Sequence, residues 1–382
     1  MNTTLSPEEY LRYSRHLLIP DVGLQGQLKL KQSTALIIGA GGLGSPVALY
    51  LAAAGVGRIG IADSDVVDAS NLQRQVLHGS AELGQPKVES ARRRMLDINP
   101  HITVDIYPEP FTAANARQIA APYNVIVDCS DNFPTRYLSN DLCVLTGKAN
   151  IYGAIYRFDG QASVFDARQG PCYRCLFPEP PPPGMTPTCS DGGVLGVLPG
   201  VIGALQATET LKVLLGIGET LVGRLLLFNA LEMSFELIKL RKNPRCKVCG
   251  TSPSVSELID YEAFCGVPGR EHPSADEEGQ ISVAELAAKL QRGDGLVLVD
   301  VREPHELEIS HLPDARLIPL GELPTRMAEL DTSAQIVLFC RTGSRSGRAL
   351  EMLRAAGYTQ ARHLAGGINA WAREIDPGVA VY

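Results

Sequence analysis

The sequence predicts two α/β units: a Rossmann-like, mostly parallel sheet covered by helices, and a smaller C-terminal sheet of the same kind. Three observations carry this. An apolar strand, Leu36-Ile37-Ile38, runs into the turn Gly39-Ala40-Gly41-Gly42-Leu43-Gly44. Apolar strand-like runs alternate with helical patterns over residues 1–250, and a second alternation begins near residue 280 after a polar interruption. Alternation of this kind implies strands buried on both faces and joined through helices.

Along the chain, the first strand is Ala35 to Ile38, and its turn follows the G-x-G-x-x-G pattern. Gly39 allows the tight turn, Gly41 lets a phosphate approach the backbone, and Gly44 lets the next helix pack closely on the strand. Ser45 and Pro46 suit a helix start. The strand Ile59 to Ala62 delivers Asp63 at the spacing of a ribose-binding carboxylate, and Val125 to Asp128 reads as a further strand. On these features alone the reading is a dinucleotide-dependent dehydrogenase. The Pro-rich run Phe177 to Gly184 is excluded from helix and central strand and predicts an exposed crossing loop. The apolar run Val194 to Leu205 is interrupted by Gly and Pro, is too short to span a bilayer, and reads as the start of a buried helix. Residues 251–279 are polar and read as a linker. In 280–382, strands are predicted at Leu296 to Asp300 and Ile336 to Phe339, with helices at Val283 to Leu290 and Ser346 to Ala355.

A chain of 382 residues with 45% hydrophobic content can fill two cores. Its net charge of -7 argues against a nucleic-acid surface, so Arg92-Arg93-Arg94 reads as one solvated helix face. No basic and apolar leader pattern is visible, which predicts a cytoplasmic protein without a membrane partner. Nine cysteines in a reducing compartment serve metal binding or catalysis more often than disulfides.

Hydride transfer requires none of Ser70, Asn71, Gln73, Arg74, Lys87, Asp131 and Asn132, whereas a triphosphate uses all of these types. Arg74 and Lys87 would neutralise anionic oxygens, Asn71 and Gln73 would orient them, and Asp131 at a strand end would hold Mg2+. Together with the glycine turn and Asp63, these residues resemble the HesA/MoeB/ThiF family of ubiquitin-activating-enzyme-like adenylyltransferases over residues 5–250. The resemblance implies ATP and Mg2+ as ligands and adenylation of the C-terminal glycine of a small ubiquitin-like protein. It also implies that Arg15 reaches the triphosphate of a second subunit, hence a homodimer.

Cys172-Tyr173-Arg174-Cys175 and Cys246-Lys247-Val248-Cys249 are two C-x-x-C knuckles. Four thiolates complete a tetrahedral Zn2+ and leave no position open for substrate, which predicts a structural site; a redox dithiol is the competing reading. The same four cysteines match the family's zinc ligands. Cys189, at the far end of the Pro-rich loop, is either a nucleophile carried into the adenylate site or a bystander thiol, and its position matches the family's crossover-loop cysteine. Cys129, Cys143 and Cys265 read as buried or linker thiols.

In the second unit, Ile336 to Phe339 runs into Cys340-Arg341-Thr342-Gly343-Ser344-Arg345-Ser346 and then a helix. A cysteine there lies under backbone N–H groups and a helix N-terminus, which stabilise a thiolate or persulfide. Cysteine phosphatases place an arginine six positions after the cysteine; Ser346 stands there instead, and the tighter loop suits sulfur. With Val299 to Glu306, His311 to Ala315 and Leu364 to Trp371, the loop resembles rhodanese, the sulfurtransferase module. That resemblance implies a Cys340 persulfide, with Arg341 and Arg345 offering positive charge to incoming donors. The fusion implies adenylation of a sulfur-carrier protein ending in Gly-Gly, followed by sulfur transfer to give a C-terminal thiocarboxylate, as in adenylyltransferase and sulfurtransferase proteins serving molybdopterin synthase and related carriers. A cysteine desulfurase or thiosulfate would recharge Cys340.

Overall fold

The computed structural model describes residues 4–181, 192–266 and 279–382. The chain divides into two compact units, Met1–Val267 and Pro268–Tyr382. Cys189 lies outside the described residues.

The first unit is built on one eight-stranded sheet of order β3-β2-β1-β4-β5-β6-β7-β8. Its strands are β1 (Thr34–Ile38), β2 (Arg58–Ala62), β3 (Thr103–Tyr107), β4 (Val125–Asp128), β5 (Ala149–Tyr156), β6 (Asp159–Phe165), β7 (Arg224–Asn229) and β8 (Ser234–Lys239). From β3 to β5 all pairings are parallel. From β5 to β8 they are antiparallel. β1, β2 and β4 are continuous apolar runs because both faces are covered. Ile37, Ile59 and Ile61 pack with Val47 and Leu51 of the helix Gly44–Ala54 and with Ile202 of the helix Leu198–Leu215. Leu36 and Ile126 pack with Tyr137 and Leu142 of the helix Phe133–Thr146 on the opposite face. The apolar run expected to begin a buried helix does so from Leu198, with Pro199 in the first turn. The antiparallel half escaped the sequence reading because β5 and β6, and β7 and β8, are joined by short turns without the helical spacers that mark the parallel half, and only the β6–β7 connection carries helix.

Part of the polar stretch after residue 250 is packed against this unit. Tyr261 and Cys265 are buried in the cluster around Tyr137, and the Tyr261 hydroxyl donates to Asp141 at 2.9 Å.

The second unit has five parallel strands of order β11-β10-β12-β13-β9: β9 (Gln280–Ile281), β10 (Val297–Asp300), β11 (Arg316–Leu317), β12 (Ile336–Phe339) and β13 (Arg362–Leu364). The helices Val283–Arg292 and Ser344–Ala355 lie close to the ranges read from the sequence.

Glycine fixes the strand-turn-helix of the first unit. Gly39 has φ of +99°, and a β-carbon on Gly44 would lie 2.0 Å from the Gly39 carbonyl oxygen. Gly41, by contrast, has only the Gln75 amide within van der Waals reach, at 3.5 Å. Gly44→Ala should therefore lower stability by about 1–3 kcal/mol, read as a shift in urea midpoint. Gly41→Ala should leave that midpoint within about 0.5 kcal/mol of wild type.

Candidate functional site

The strand order of the first sheet reverses between β1 and β4, and open α/β sheets bind ligands in the crevice at such a point. The Gly39 turn leaves β1 and Cys129 to Asn132 leave β4; the two meet so closely that a Gly39 β-carbon would lie 2.9 Å from the Cys129 carbonyl oxygen. Asp63 follows β2 and holds the turn from the side. Its Oδ2 accepts the Ala40 N–H and its Oδ1 the Asp65 N–H, each at 2.8 Å. Burial raises this carboxyl, outweighing the nearby Lys87 charge and the two N–H donors. Each oxygen keeps a second lone pair for a ligand hydroxyl.

Residues 70–75 lie beside the turn. Arg74 Cγ is 3.7 Å from where a Gly42 β-carbon would sit, and Arg74 donates to the Ser70 carbonyl at 3.2 Å. Asn71 donates to Ser70 Oγ at 3.1 Å and accepts from Gln75 at 3.0 Å. Gln73 packs against Gly196, where a β-carbon would lie 2.3 Å from its Oε1. Lys87 is buried and reaches Asp65 at 2.8 Å. After β4, Asp131 is exposed, and Asn132 caps the next helix by accepting the Thr135 N–H at 2.9 Å. Arg15 is exposed on the short helix Ser14–Leu17.

Sequence reasoning missed the residues that hold these loops. His78 Nε2 donates to the Ala40 carbonyl at 2.9 Å, and its Nδ1 meets Ser90 Oγ at 2.7 Å. Buried Asp128 accepts the Ser130 N–H and hydroxyl at 3.0 and 2.6 Å, and Arg136 donates to the Ser130 carbonyl at 3.3 Å. Ser130 is thus clamped one residue ahead of Asp131. Asp65, the partner of Lys87, was also passed over. Its place two residues after Asp63 was the available signal.

The four knuckle cysteines converge, all sulfurs lying within 4.8 Å of one another. Neighbouring sulfurs are 3.4, 3.6 and 3.9 Å apart. A disulfide would need about 2.05 Å; the corners of a tetrahedron with metal–sulfur bonds of about 2.3 Å are about 3.8 Å apart. The donor set and spacing fit a closed metal centre, and the Asn243 N–H donates to Cys175 Sγ at 3.4 Å from outside it. Between the first two cysteines, Arg174 is wholly buried. Its Nε and one terminal nitrogen bond Asp141 at 2.9 and 2.8 Å. Its guanidinium lies 4.4 Å from the Phe264 ring centre and 4.8 Å from that of Tyr137. Lys247 of the second knuckle pairs with Glu179 of the Pro-rich run at 2.5 Å. Cys129, Cys143 and Cys265 are buried thiols that burial pushes up, Cys265 to about 11.

In the second unit the strand order reverses between β10 and β12, and Cys340 follows β12. Its Sγ, 1% exposed as part of the residue, accepts the Gly343 N–H at 3.1 Å and faces the Ser346 hydroxyl at 3.6 Å. Gly343 has φ of +105° and immediately precedes the helix Ser344–Ala355. A β-carbon on Gly367 would lie 2.4 Å from the Cys340 carbonyl oxygen, which accepts the Ile368 N–H at 2.8 Å. Arg345 does not lie open to a donor: it forms a bidentate pair with Glu306. Arg341 places its guanidinium 5.8 Å from the Tyr382 ring centre. Burial pushes the Glu306 carboxyl up, but Arg345, the Glu303 N–H and the Tyr382 hydroxyl more than offset this and hold it at about 2. Glu306 had been read only as part of a resembling stretch, and Tyr382 carried no signal.

The ThiF family model matches residues 13–248, and the rhodanese-like domain model matches residues 282–374. The probable adenylyltransferase/sulfurtransferase MoeZ of Mycobacterium tuberculosis is 49% identical over 386 positions, covering 100% of this chain and 97% of that protein. The adenylyltransferase and sulfurtransferase MOCS3 of Drosophila ananassae is 44% identical over 396 positions, covering 100% of this chain and 87% of the relative. Among solved structures, E. coli MccB with MccA-N7isoASN superposes with a TM-score of 0.57 at 24% identity, over 63% of this chain and 75% of that one, a likeness of fold.

Two stability effects follow from this geometry. Asp141→Ala leaves the Arg174 charge buried without a partner and should cost about 3–5 kcal/mol in chemical unfolding, whereas replacing both residues with apolar side chains should cost far less. Glu306, lowered from 4.5 to about 2, stabilises the second unit above pH about 4.5, and that contribution is lost as pH falls toward 2. The stability gap between wild type and Glu306→Gln, followed by fluorescence of the single tryptophan, Trp371, should shrink by up to about 3 kcal/mol over that range.

Proposed function

Because the chain belongs to the ThiF family and carries a rhodanese-like domain downstream, we propose that it activates a ubiquitin-like sulfur-carrier protein with ATP and converts its C-terminal glycine to a thiocarboxylate. The observation that carries this reading is the presence in one chain of a phosphate-accessible glycine turn at the β1/β4 crevice and a buried cysteine after β12 whose Sγ meets the Gly343 N–H and the Ser346 hydroxyl.

A free carboxylate is a poor electrophile, and adenylation supplies a leaving group. The terminal carboxylate of the carrier attacks the α-phosphorus of ATP and pyrophosphate departs. Arg74 and Lys87 neutralise the growing charge, Lys87 exchanging Asp65 for phosphate oxygen, while Asp63 takes the ribose. Asn71, Gln73 and the peptide groups of Gly39 to Gly44 orient the nucleotide. Asp131, presented by the clamped Ser130, would hold Mg2+, which shields phosphate charge when bound. Arg15 would reach the nucleotide of a second copy. Leu11, Leu18 and Ile19 around it are 80%, 73% and 45% exposed, apolar surface suited to burial against a partner protomer. The outer strand β8 and the turn before it offer a second apolar face, with Met233 of the turn and Phe235 and Leu237 of the strand at 71%, 55% and 52% exposed, which suits docking of the carrier.

Cys340 takes a sulfane sulfur from a desulfurase or thiosulfate. Its persulfide attacks the acyl carbon and expels AMP, leaving the carrier joined to Cys340 through an acyl disulfide. A Cys189 thiolate attacking Cys340 sulfur would free the thiocarboxylate and leave a Cys189–Cys340 disulfide; an external reductant accomplishes the same cleavage. Zn2+ in the four-cysteine centre would be structural, since no coordination position remains for chemistry. The unpaired thiols among the described residues, and the absence there of a helix long and apolar enough to cross a membrane, support a cytoplasmic setting.

Purified protein given a carrier ending in Gly-Gly, ATP, Mg2+ and thiosulfate should release pyrophosphate and raise the carrier mass by the replacement of oxygen with sulfur. Cys340→Ala should keep pyrophosphate release and lose the sulfur; Asp131→Ala should lose both. Thiocarboxylate made by Cys340→Ala from thiosulfate alone would overturn this division of labour. Metal analysis should find one zinc per chain, lost in Cys246→Ser.

A further inference from the structure

Arg341 and Arg345 carry the same charge on the same loop, yet the structure treats them differently. Arg345 gives both terminal nitrogens to Glu306, at 2.5 and 2.7 Å, and the two side chains are only 12% and 8% exposed. Turning Arg345 toward an anion would strand a buried carboxylate, which is far costlier than a new ion pair returns. Glu306 is itself fixed by the Glu303 N–H at 2.9 Å and by the Tyr382 hydroxyl at 2.7 Å. The Tyr382 oxygen in turn accepts from Arg302 at 2.7 Å, and Arg302 is paired with Asp300 at the end of β10. Tyr382 also presents its ring to Arg341 at 5.8 Å. Its backbone is held on both sides by Asn369, at 2.8 and 3.4 Å, and the Asn369 N–H donates to the Arg341 carbonyl at 3.1 Å.

We propose that Tyr382 is a positioning residue that assigns different work to the two arginines of the Cys340 loop. Through its hydroxyl and Glu306 it locks Arg345 into the framework of the loop; through its ring it orients Arg341 as the cation that meets an anionic sulfur donor. This rests on the reading of Cys340 as the sulfur carrier. With thiosulfate, the Cys340 thiolate attacks the outer sulfur, the S–S bond breaks, and sulfite leaves with the bonding pair while Arg341 faces its charge. Cyanide then attacks the outer sulfur of the persulfide, forming thiocyanate and returning the electron pair to Cys340.

The full-length protein is assayed for thiosulfate–cyanide sulfur transfer, with pyrophosphate release and the Trp371 unfolding midpoint measured on every variant. Arg341→Ala and Tyr382→Leu should both raise the KM for thiosulfate, Tyr382→Leu by about two- to five-fold, the range of one partly exposed cation–π contact. Tyr382→Phe keeps the ring and should leave KM unchanged while lowering kcat about ten-fold, since a hydrogen bond to a charged group is lost. Arg345→Ala should, like Tyr382→Phe, lower kcat without raising KM, but with a larger loss and a lower Trp371 midpoint because it strands the Glu306 carboxylate; Arg345→Lys should partly restore both. Pyrophosphate release should not change in any of them. A wild-type KM in a folded Tyr382→Leu protein, or a rise in KM for Arg345→Ala as large as that for Arg341→Ala, overturns the proposal. Should Tyr382→Leu unfold, the Arg345 and Arg341 pair decides alone. If the mass of wild-type Cys340 gains no sulfur from thiosulfate, the reading of Cys340 itself fails and takes the proposal with it; that result is separable because it appears before any Tyr382 variant is made.

Discussion

Both units depend on backbone approaching backbone where a parallel strand ends. In the first, Gly44 sits so close to the Gly39 carbonyl that a β-carbon has no room. In the second, Gly367 stands in the same relation to the Cys340 carbonyl. The first approach falls where strand order reverses between β1 and β4; the second joins the ends of the neighbouring strands β12 and β13, and steadies the Cys340 loop that borders the reversal between β10 and β12, where a crevice opens. A helix begins at once after each turn, and peptide N–H groups are left facing the crevice rather than being consumed by the sheet. Such groups stabilise anions whatever their chemistry. Phosphate in one unit and sulfur in the other are two uses of one solution.

Loops built this way need support, and in both units it comes from buried polar side chains rather than from apolar packing. Asp63 and His78 hold Ala40 from two sides; Asp128 and Arg136 hold Ser130. Around Cys340 the corresponding parts are Glu306, Arg302 and Tyr382. Hydrogen bonds suit this task because they are directional and because a buried polar group without a partner is expensive, so the loop has one cheap conformation. The proposed functional residues, Asp131 and Arg341 among them, stand on loops fixed by residues one step further in.

The four-cysteine cluster solves a different problem. It ties segments distant in sequence at the base of the Pro-rich run, and the buried Arg174 between its first two cysteines continues the tie to Asp141, Tyr261 and Phe264. The stretch after residue 250 therefore begins as a packed strap, a role its polar composition concealed.

What the sequence determined by itself was the local chemistry whose residues are neighbours in the chain. The glycine turn, the strand runs on either side of it, the paired knuckles and the Cys340 loop were all legible, because close spacing, periodicity and required backbone geometry leave a mark on consecutive residues. The parallel half of the first sheet was legible for the same reason, its helical spacers being part of the pattern. The antiparallel half, the Lys87–Asp65 pair, the His78 support and the Glu306–Tyr382 contact were decided only by tertiary structure. Arg345 makes the difference plain: from the sequence it is a cation beside a cysteine, but Glu306 arrives from another strand end and buries its charge. Which polar groups meet across elements depends on sheet order and packing, and no spacing along the chain encodes that meeting.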